Sequence, residues 1–104
     1  MQIENINAED LSRMLSADEV MLIDVREKTE FSGEHIHSAQ SFPLSQLDPK
    51  ALPDPLNKKI VFMCAGGVRS ARAVSACHSE GLAYSAHLQG GIAAWKSAGL
   101  PTER

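Results

Sequence analysis

One short segment in the second half of the chain combines the residue types that can activate a thiol. It runs Cys64-Ala65-Gly66-Gly67-Val68-Arg69-Ser70, after an apolar run and before a helical pattern. A thiol at a helix N-terminus has a lowered pKa, because the helix dipole and the free amide N–H groups favour negative charge. The glycine pair lets the loop curl so that successive amides point inward and bind an anion. The arginine adds a planar cation suited to oxyanions. A thiolate held in this way could attack or carry an anionic sulfur or phosphorus group.

The two cysteines of the chain have different predicted roles. Cys64 could be a buried strand-end residue without chemistry, as many free cysteines are. The glycine pair, the arginine and the strand–loop–helix context favour a nucleophile instead. Cys77 falls within the following helix, beside Ala73 and Val74 at core spacing, which predicts a buried, unreactive thiol. Two cysteines this far apart cannot form a Cys-x-x-Cys redox pair, and they are too few for a disulfide scaffold.

The elements that must position this loop follow from hydrophobic periodicity. Apolar runs predict strands over 19–24, 59–64 and 86–88. Helical patterns lie between them: one capped by Asn7, one over 27–33, one over 70–80 ended by Gly81, and one from Gly90-Gly91 through Trp95. The proline-rich stretch 41–57 predicts a loop with at most a brief helix near 45–47. This alternation indicates an α/β fold, with a central, mainly parallel sheet and helices on both faces. Cys64 then falls at a carboxyl strand end, where ligands bind in such sheets.

Length and composition limit the class of protein. With 104 residues we expect one domain over 1–104. Apolar residues make up 43% and charged residues 22%, which excludes a disordered or low-complexity chain. The apolar runs are too short for a membrane span, and a net charge of −3 argues against nucleic acid as a partner. The first residues lack the features of a signal peptide, so we expect a cytoplasmic protein with reduced thiols.

The four histidines show no metal-ligand spacing with the cysteines, so no metal site is expected. His35 and His37 flank Ile36 after a turn, where we expect structural hydrogen bonds to the backbone. His78 and His87 are expected to be at the surface or half-buried. None of the four is predicted to be a general base.

At this point the sequence resembles the rhodanese-like family of sulfurtransferases, through four blocks that occur in the family's order. The blocks are Leu22-Ile23-Asp24-Val25-Arg26 with Glu27 and Glu30-Phe31; Glu34-His35-Ile36 with Ala39 and Pro43-Leu44; Val61-Phe62-Met63-Cys64 through Arg69-Ser70; and Leu88-Gln89-Gly90-Gly91-Ile92-Ala93-Ala94-Trp95 with Gly99-Leu100-Pro101. Together they extend over nearly the whole chain.

The resemblance implies a rhodanese-like fold with a five-stranded, mainly parallel sheet, and a sulfurtransferase that needs no metal or organic cofactor. Cys64 would be the nucleophile and would carry a sulfane sulfur as a persulfide. The donor would be a small anion such as thiosulfate, and the acceptor a thiol, cyanide or a protein. The amides of the loop would cradle the persulfide, with Arg69 helping to bind the donor; these residues are Ala65, Gly66, Gly67, Val68, Arg69 and Ser70. Asp24, Arg26 and His35 would be structural residues near the site, the first two as an ion pair or hydrogen-bonded tie.

Two other functions stay open at this point. The chain could be a sulfur-relay or docking module that acts only with a protein partner. It could also be a Cdc25-type phosphatase or arsenate reductase, although in the family such phosphatases have a loop one residue longer than the six residues from Cys64 to Arg69. Many family members have a basic residue directly after the cysteine, and Ala65 in that place removes one cation that could bind an anionic donor. A monomer is expected.

Overall fold

The computed structural model of the protein describes residues 2–104 as a five-stranded sheet with four helices. The strands are β1 (Glu4–Ile6), β2 (Val20–Asp24), β3 (Gln40–Ser41), β4 (Lys59–Met63) and β5 (Ala86–Leu88). The helices are α1 (Ala8–Ser16), α2 (Lys28–Gly33), α3 (Val68–Ser79) and α4 (Gly91–Ser97). Two short 3₁₀ turns, Leu44–Gln46 and Pro49–Ala51, lie between β3 and β4. Within the described residues, no helix is both long enough and apolar enough to cross a membrane.

The sheet is parallel throughout and has the order β1-β5-β4-β2-β3. The central pair β2 and β4 is the most regular, with five residues in register from Val20 opposite Lys59 to Asp24 opposite Met63. All carboxyl ends therefore lie at one edge of the sheet. The segments that follow β2, β4 and β5 meet at this edge, and they contain most of the predicted site residues.

Helices cover both faces of the sheet, so that alternate residues of each strand enter different hydrophobic clusters. One face packs against α1 and α4, through Leu11, Ile92 and Trp95. The other packs against α3, through Ala73, Val74 and Cys77. In β4, Val61 and Met63 face the first cluster, while Ile60, Phe62 and Cys64 face the second. The near-continuous apolar run that predicted this strand follows from burial on both faces.

The prediction of an α/β fold with helices on both faces is confirmed, as is the five-stranded sheet that the resemblance implied. The residue pattern alone located three of the five strands. It missed β1 and β3, because these edge strands have three and two residues and are mostly unburied. Helix α3 begins two residues earlier than predicted. Gly67 has a φ of 107° and is its N-cap, so Val68 and Arg69 already belong to the first turn.

Candidate active site

The side chain of Cys64 lies directly after β4, at the centre of the loop that leads into α3. Its Sγ accepts a hydrogen bond from the amide of Gly67 at 3.0 Å and another from the amide of Ser70 at 3.3 Å. The Ser70 hydroxyl lies 3.5 Å from the same sulfur. Cys64 is 1% exposed and Ser70 is fully buried, so these bonds are shielded from water. The loop thus encloses the sulfur in donors that suit an anion.

These donors decide the ionisation of Cys64. Burial by itself raises the pKa of the thiol, because it disfavours the charged form. Hydrogen bonds from the Ser70 hydroxyl, then from the amides of Ser70, Gly67 and Gly66, outweigh burial and leave the pKa below its ordinary value. Cys77 has no such compensation, and burial raises the pKa of its thiol. The predicted burial of Cys77 is confirmed, and its thiol is the less ionised of the two.

The start of α4 fixes the shape of this loop from the outside. The amide of Ile92 donates to the Cys64 carbonyl at 2.8 Å, and the amide of Ala93 donates to the Ala65 carbonyl at 3.2 Å. Gly91 allows this approach: a Cβ there would lie 2.5 Å from both atoms of the Ala65 carbonyl and closer still to the Cys64 oxygen. Its φ of 62° is also one that L side chains rarely adopt. Gly91 therefore lets α4 support residues 64–70, the loop that surrounds the Cys64 sulfur.

Arg69 is held by a carboxylate rather than left free for a donor. Its two terminal guanidinium nitrogens donate to the two oxygens of Glu30, on α2, at 2.7 and 3.0 Å. This hydrogen bonding lowers the pKa of Glu30 to about 2, so the carboxylate is ionised at neutral pH. The sequence predicts a cation here but not its partner, which is 39 residues away. The pairing offsets most of the positive charge that Arg69 would offer to an anionic donor.

Asp24 and Arg26 form a buried ion pair beside the site. The Nη2 atom of Arg26 donates to Asp24 at 2.8 Å and to the carbonyl of Glu34 at 2.7 Å. Asp24 is fully buried and Arg26 is 5% exposed, so each needs the other to satisfy its charge. The pair joins the end of β2 to the end of α2. Neither side chain hydrogen-bonds the sulfur of Cys64 among the described residues.

The remaining predicted site residues lie at the surface of the loop or beneath it. Val68, at the start of α3, is exposed by 67%. Ala65 is half-buried and Gly66 is exposed, so this part of the loop contacts solvent. The ring of His35 stacks on Phe31, and its Nδ1 atom bonds the Phe31 carbonyl at 2.9 Å, as expected for a structural histidine. Its other ring nitrogen faces Glu103, far along the chain.

The prediction that His87 is at the surface or half-buried is wrong. The residue is 6% exposed, and its Nδ1 atom lies 2.8 Å from the Ser70 hydroxyl, which in turn contacts the Cys64 sulfur. The physical reason is strand alternation: Ala86 and Leu88 face the cluster under α1 and α4, so the residue between them faces α3. A sheet covered on both faces, which the sequence did predict, leaves such a position inside. That combination is the signal that could have found His87.

Comparison with known proteins agrees with this geometry. The family model of the rhodanese-like domain matches residues 7–98. The chain belongs to the rhodanese-like family. Similar proteins include an uncharacterized protein of Synechocystis, 47% identical over 92 residues, which are 88% of this chain and 51% of that protein. A protein named sulfurtransferase from Allochromatium vinosum is 30% identical over 100 residues, 95% of this chain and 94% of that one.

Solved structures give the same relationship. The crystal structure of a thiosulfate sulfurtransferase from Pseudomonas aeruginosa superposes with a TM-score of 0.85 at 25% identity, over 98% of this chain and 20% of that one. The present chain spans only about half the length of the Synechocystis protein.

Proposed function

We propose that this rhodanese-like domain is a sulfurtransferase that carries a sulfane sulfur as a persulfide on Cys64. The observation that supports this most is the placing of Sγ at a strand end, with two backbone amides directed at it and a buried hydroxyl 3.5 Å away. These groups stabilise a thiolate, which is the nucleophilic form of cysteine. They would also stabilise the negative charge of a bound persulfide. The sulfurtransferase name of the Allochromatium relative supports the same activity.

The chemistry proceeds in two steps. The Cys64 thiolate attacks the outer sulfur of the donor, an S–S bond forms at Sγ, and the donor's own S–S bond breaks. With thiosulfate, sulfite leaves with the electron pair of that bond. In the second step a thiolate or cyanide attacks the outer sulfur of the persulfide, and Cys64 is released as a thiolate. Such a course predicts ping-pong kinetics. No step requires a metal or an organic cofactor.

The local charges bear on the choice of donor. Thiosulfate is a dianion, and the cation nearest the loop is already paired with Glu30. Ala65 adds no second cation. We therefore expect thiosulfate to react slowly and donors with less charge, such as thiol persulfides, to react faster.

The cytoplasmic location and the monomeric state stay predictions.

Sulfur relay to a protein partner is the second candidate, and Val68 is the observation that favours it. This apolar side chain is 67% exposed in the first turn of α3, four residues after Cys64, where a protein acceptor could bind it. A phosphatase or arsenate reductase is less well supported, because the Cys64–Arg69 loop has six residues. Hydrolysis of an aryl phosphate would be evidence for that alternative.

Single-turnover and steady-state measurements separate these functions. The protein is mixed with thiosulfate or with a low-molecular-weight persulfide, and its intact mass is recorded before and after addition of a thiol acceptor. A sulfurtransferase gains the mass of one sulfur atom and loses it to the thiol with turnover. A relay module gains the sulfur and releases it quickly only to its protein partner. If neither donor adds a sulfur, the proposal is wrong.

A further inference from the structure

Beyond residues 64–70, a chain of hydrogen-bonded side chains leads from three buried residues, Cys64, Ser70 and His87, to the exposed Asn5 on the edge strand β1. The Cys64 Sγ lies 3.5 Å from Ser70 Oγ, and Ser70 Oγ lies 2.8 Å from Nδ1 of His87. The other ring nitrogen of His87, Nε2, lies 2.7 Å from Oδ1 of Asn5. These four residues come from β1, β5, α3 and the end of β4. Their contacts therefore depend on the assembled fold.

The hydrogen-bond chemistry of these atoms fixes the direction of the chain. The Oδ1 atom of Asn5 can only accept, so Nε2 of His87 must carry the ring proton. In the neutral ring Nδ1 is then an acceptor for the Ser70 hydroxyl at 2.8 Å, which is a shorter contact than the 3.2 Å to the other acceptor of this hydroxyl, the Gly67 carbonyl. The oxygen of Ser70 keeps a lone pair that can accept from the Cys64 thiol. All three bonds thus point the same way, from Cys64 towards Asn5.

We propose that His87 is a positioning residue for Cys64: it receives the thiol proton through Ser70, while Asn5 holds the ring in the required tautomer. The proton on Sγ passes to Ser70 Oγ as the proton of Oγ passes to Nδ1. Sγ keeps the electron pair of the S–H bond and becomes a thiolate, and the ring becomes an imidazolium. Nε2–H continues to donate to Asn5, so no hydrogen bond is lost. Ser70 then donates to the thiolate, as the Gly67 and Ser70 amides do.

The surroundings leave Cys64 as the titratable group that this chain of bonds connects to His87. Burial lowers the pKa of His87 and so favours the neutral ring, in which Nδ1 can accept a proton, but it also opposes formation of the imidazolium. The charged or titratable groups on the packed elements β1, β4 and α3 are otherwise engaged or directed elsewhere: Glu4 binds Lys59, Arg69 binds Glu30, His78 bonds Ser85, Cys77 lies in the core under α3, and Arg72 is exposed. A thiolate at Cys64, connected to the ring through Ser70, offsets this by favouring the imidazolium, and the imidazolium favours the thiolate.

This role rests on the proposed use of Cys64 as a sulfur carrier, but it can be tested without sulfur transfer. The rate at which iodoacetamide alkylates Cys64 is measured against pH, with mass spectrometry to locate the adduct. His87→Gln keeps a side chain that can hydrogen-bond Ser70 but cannot be protonated. We expect the apparent pKa of Cys64 to rise by about one unit and alkylation at pH 7 to slow about tenfold. Asn5→Asp, which favours the imidazolium, should shift the profile to lower pH.

The control is His78→Gln, which removes a histidine that bonds Ser85 outside this chain and should leave the profile unchanged. A purely structural His87 would make the His87→Gln profile match the wild type, and that result would overturn the proposal. If the variant does not fold, ring ¹⁵N NMR on the wild type and on Cys64→Ala decides the same point. The imidazolium of His87 should persist to a pH about one unit higher in the wild type; identical titrations would overturn the proposal. A normal pKa coupling without any sulfur adduct would instead reject only the sulfurtransferase function.

Discussion

Substituting Gly91 by alanine should disrupt the support that α4 gives to the loop of residues 64–70. The new Cβ would lie 2.5 Å from the Ala65 carbonyl, roughly 0.9 Å inside the 3.4 Å at which ordinary contact begins. The opposing atoms are backbone, so they cannot rotate away. The left-handed φ of 62° adds about 1–2 kcal/mol for a residue with a Cβ, and overpacking adds about 1–3 kcal/mol. We expect the free energy of unfolding to fall by about 2–5 kcal/mol.

Urea unfolding followed by circular dichroism measures this loss, and Gly33→Ala is the matched control. A Cβ on Gly33, at the end of α2, would meet nothing within 4 Å, so that variant should be as stable as the wild type or slightly more stable. In Gly91→Ala the alkylation of Cys64 should also slow, because the Cys64 carbonyl loses its hydrogen bond from the Ile92 amide. A stability loss below about 1 kcal/mol would show that the close approach of α4 to the loop is not required.

Three further predictions follow from the ion pairs and from the burial of the thiol. Glu30→Gln should cost about 1 kcal/mol at pH 7, since the Arg69 pair is about one third exposed and solvent screens it. The pKa of Glu30 is about 2 in the folded protein against an ordinary value of 4.5, so this stabilisation is present above pH 4.5 and is lost as pH falls towards 2. The difference in urea midpoint between the wild type and Glu30→Gln should therefore shrink on acidification, and a difference that widens would refute the prediction. Asp24→Ala should lower the free energy of unfolding in urea by about 3–5 kcal/mol, because it leaves Arg26 buried without its partner. The double variant Asp24→Ala with Arg26→Met should recover most of this loss. A double variant as unstable as Asp24→Ala would contradict the assignment of a buried ion pair. Since Cys64 is 1% exposed, iodoacetamide should alkylate it faster than a bulky maleimide does, when each rate is divided by the rate of the same reagent with free cysteine. Equal relative rates would contradict the enclosed geometry of Cys64.

The parts of the fold that were predictable are those with a strong local pattern. Strand β4 has a continuous apolar run, helix α3 has a helical period, and the loop between them has a distinctive set of residue types. The strands β1 and β3 were not predictable from the residues, because pairing with β5 and β2 defines them and their own burial pattern does not. The boundary of α3 depended on the conformation of Gly67, which sequence permits but does not require.

The loop around Cys64 was predictable from the sequence, and the residues that reach it from other elements were not. Cys64 and the loop amides are neighbours in sequence, so their proximity follows from the chain itself. Glu30, Gly91 and His87 reach the same place from α2, α4 and β5, and their roles depend on how these elements pack. Glu30 in particular changes the meaning of Arg69 from a free cation to half of an ion pair. No local pattern contains that information.

Locating the added sulfur on the chain tests the proposed function most directly. The wild type, Cys64→Ser and Cys77→Ser are each treated with a sulfane sulfur donor, and their peptides are then mapped by mass spectrometry. We expect one added sulfur on Cys64 in the wild type and in Cys77→Ser, and none in Cys64→Ser. A sulfur found on Cys77, or one that persists in Cys64→Ser, would contradict the assignment of Cys64 as the sulfur carrier.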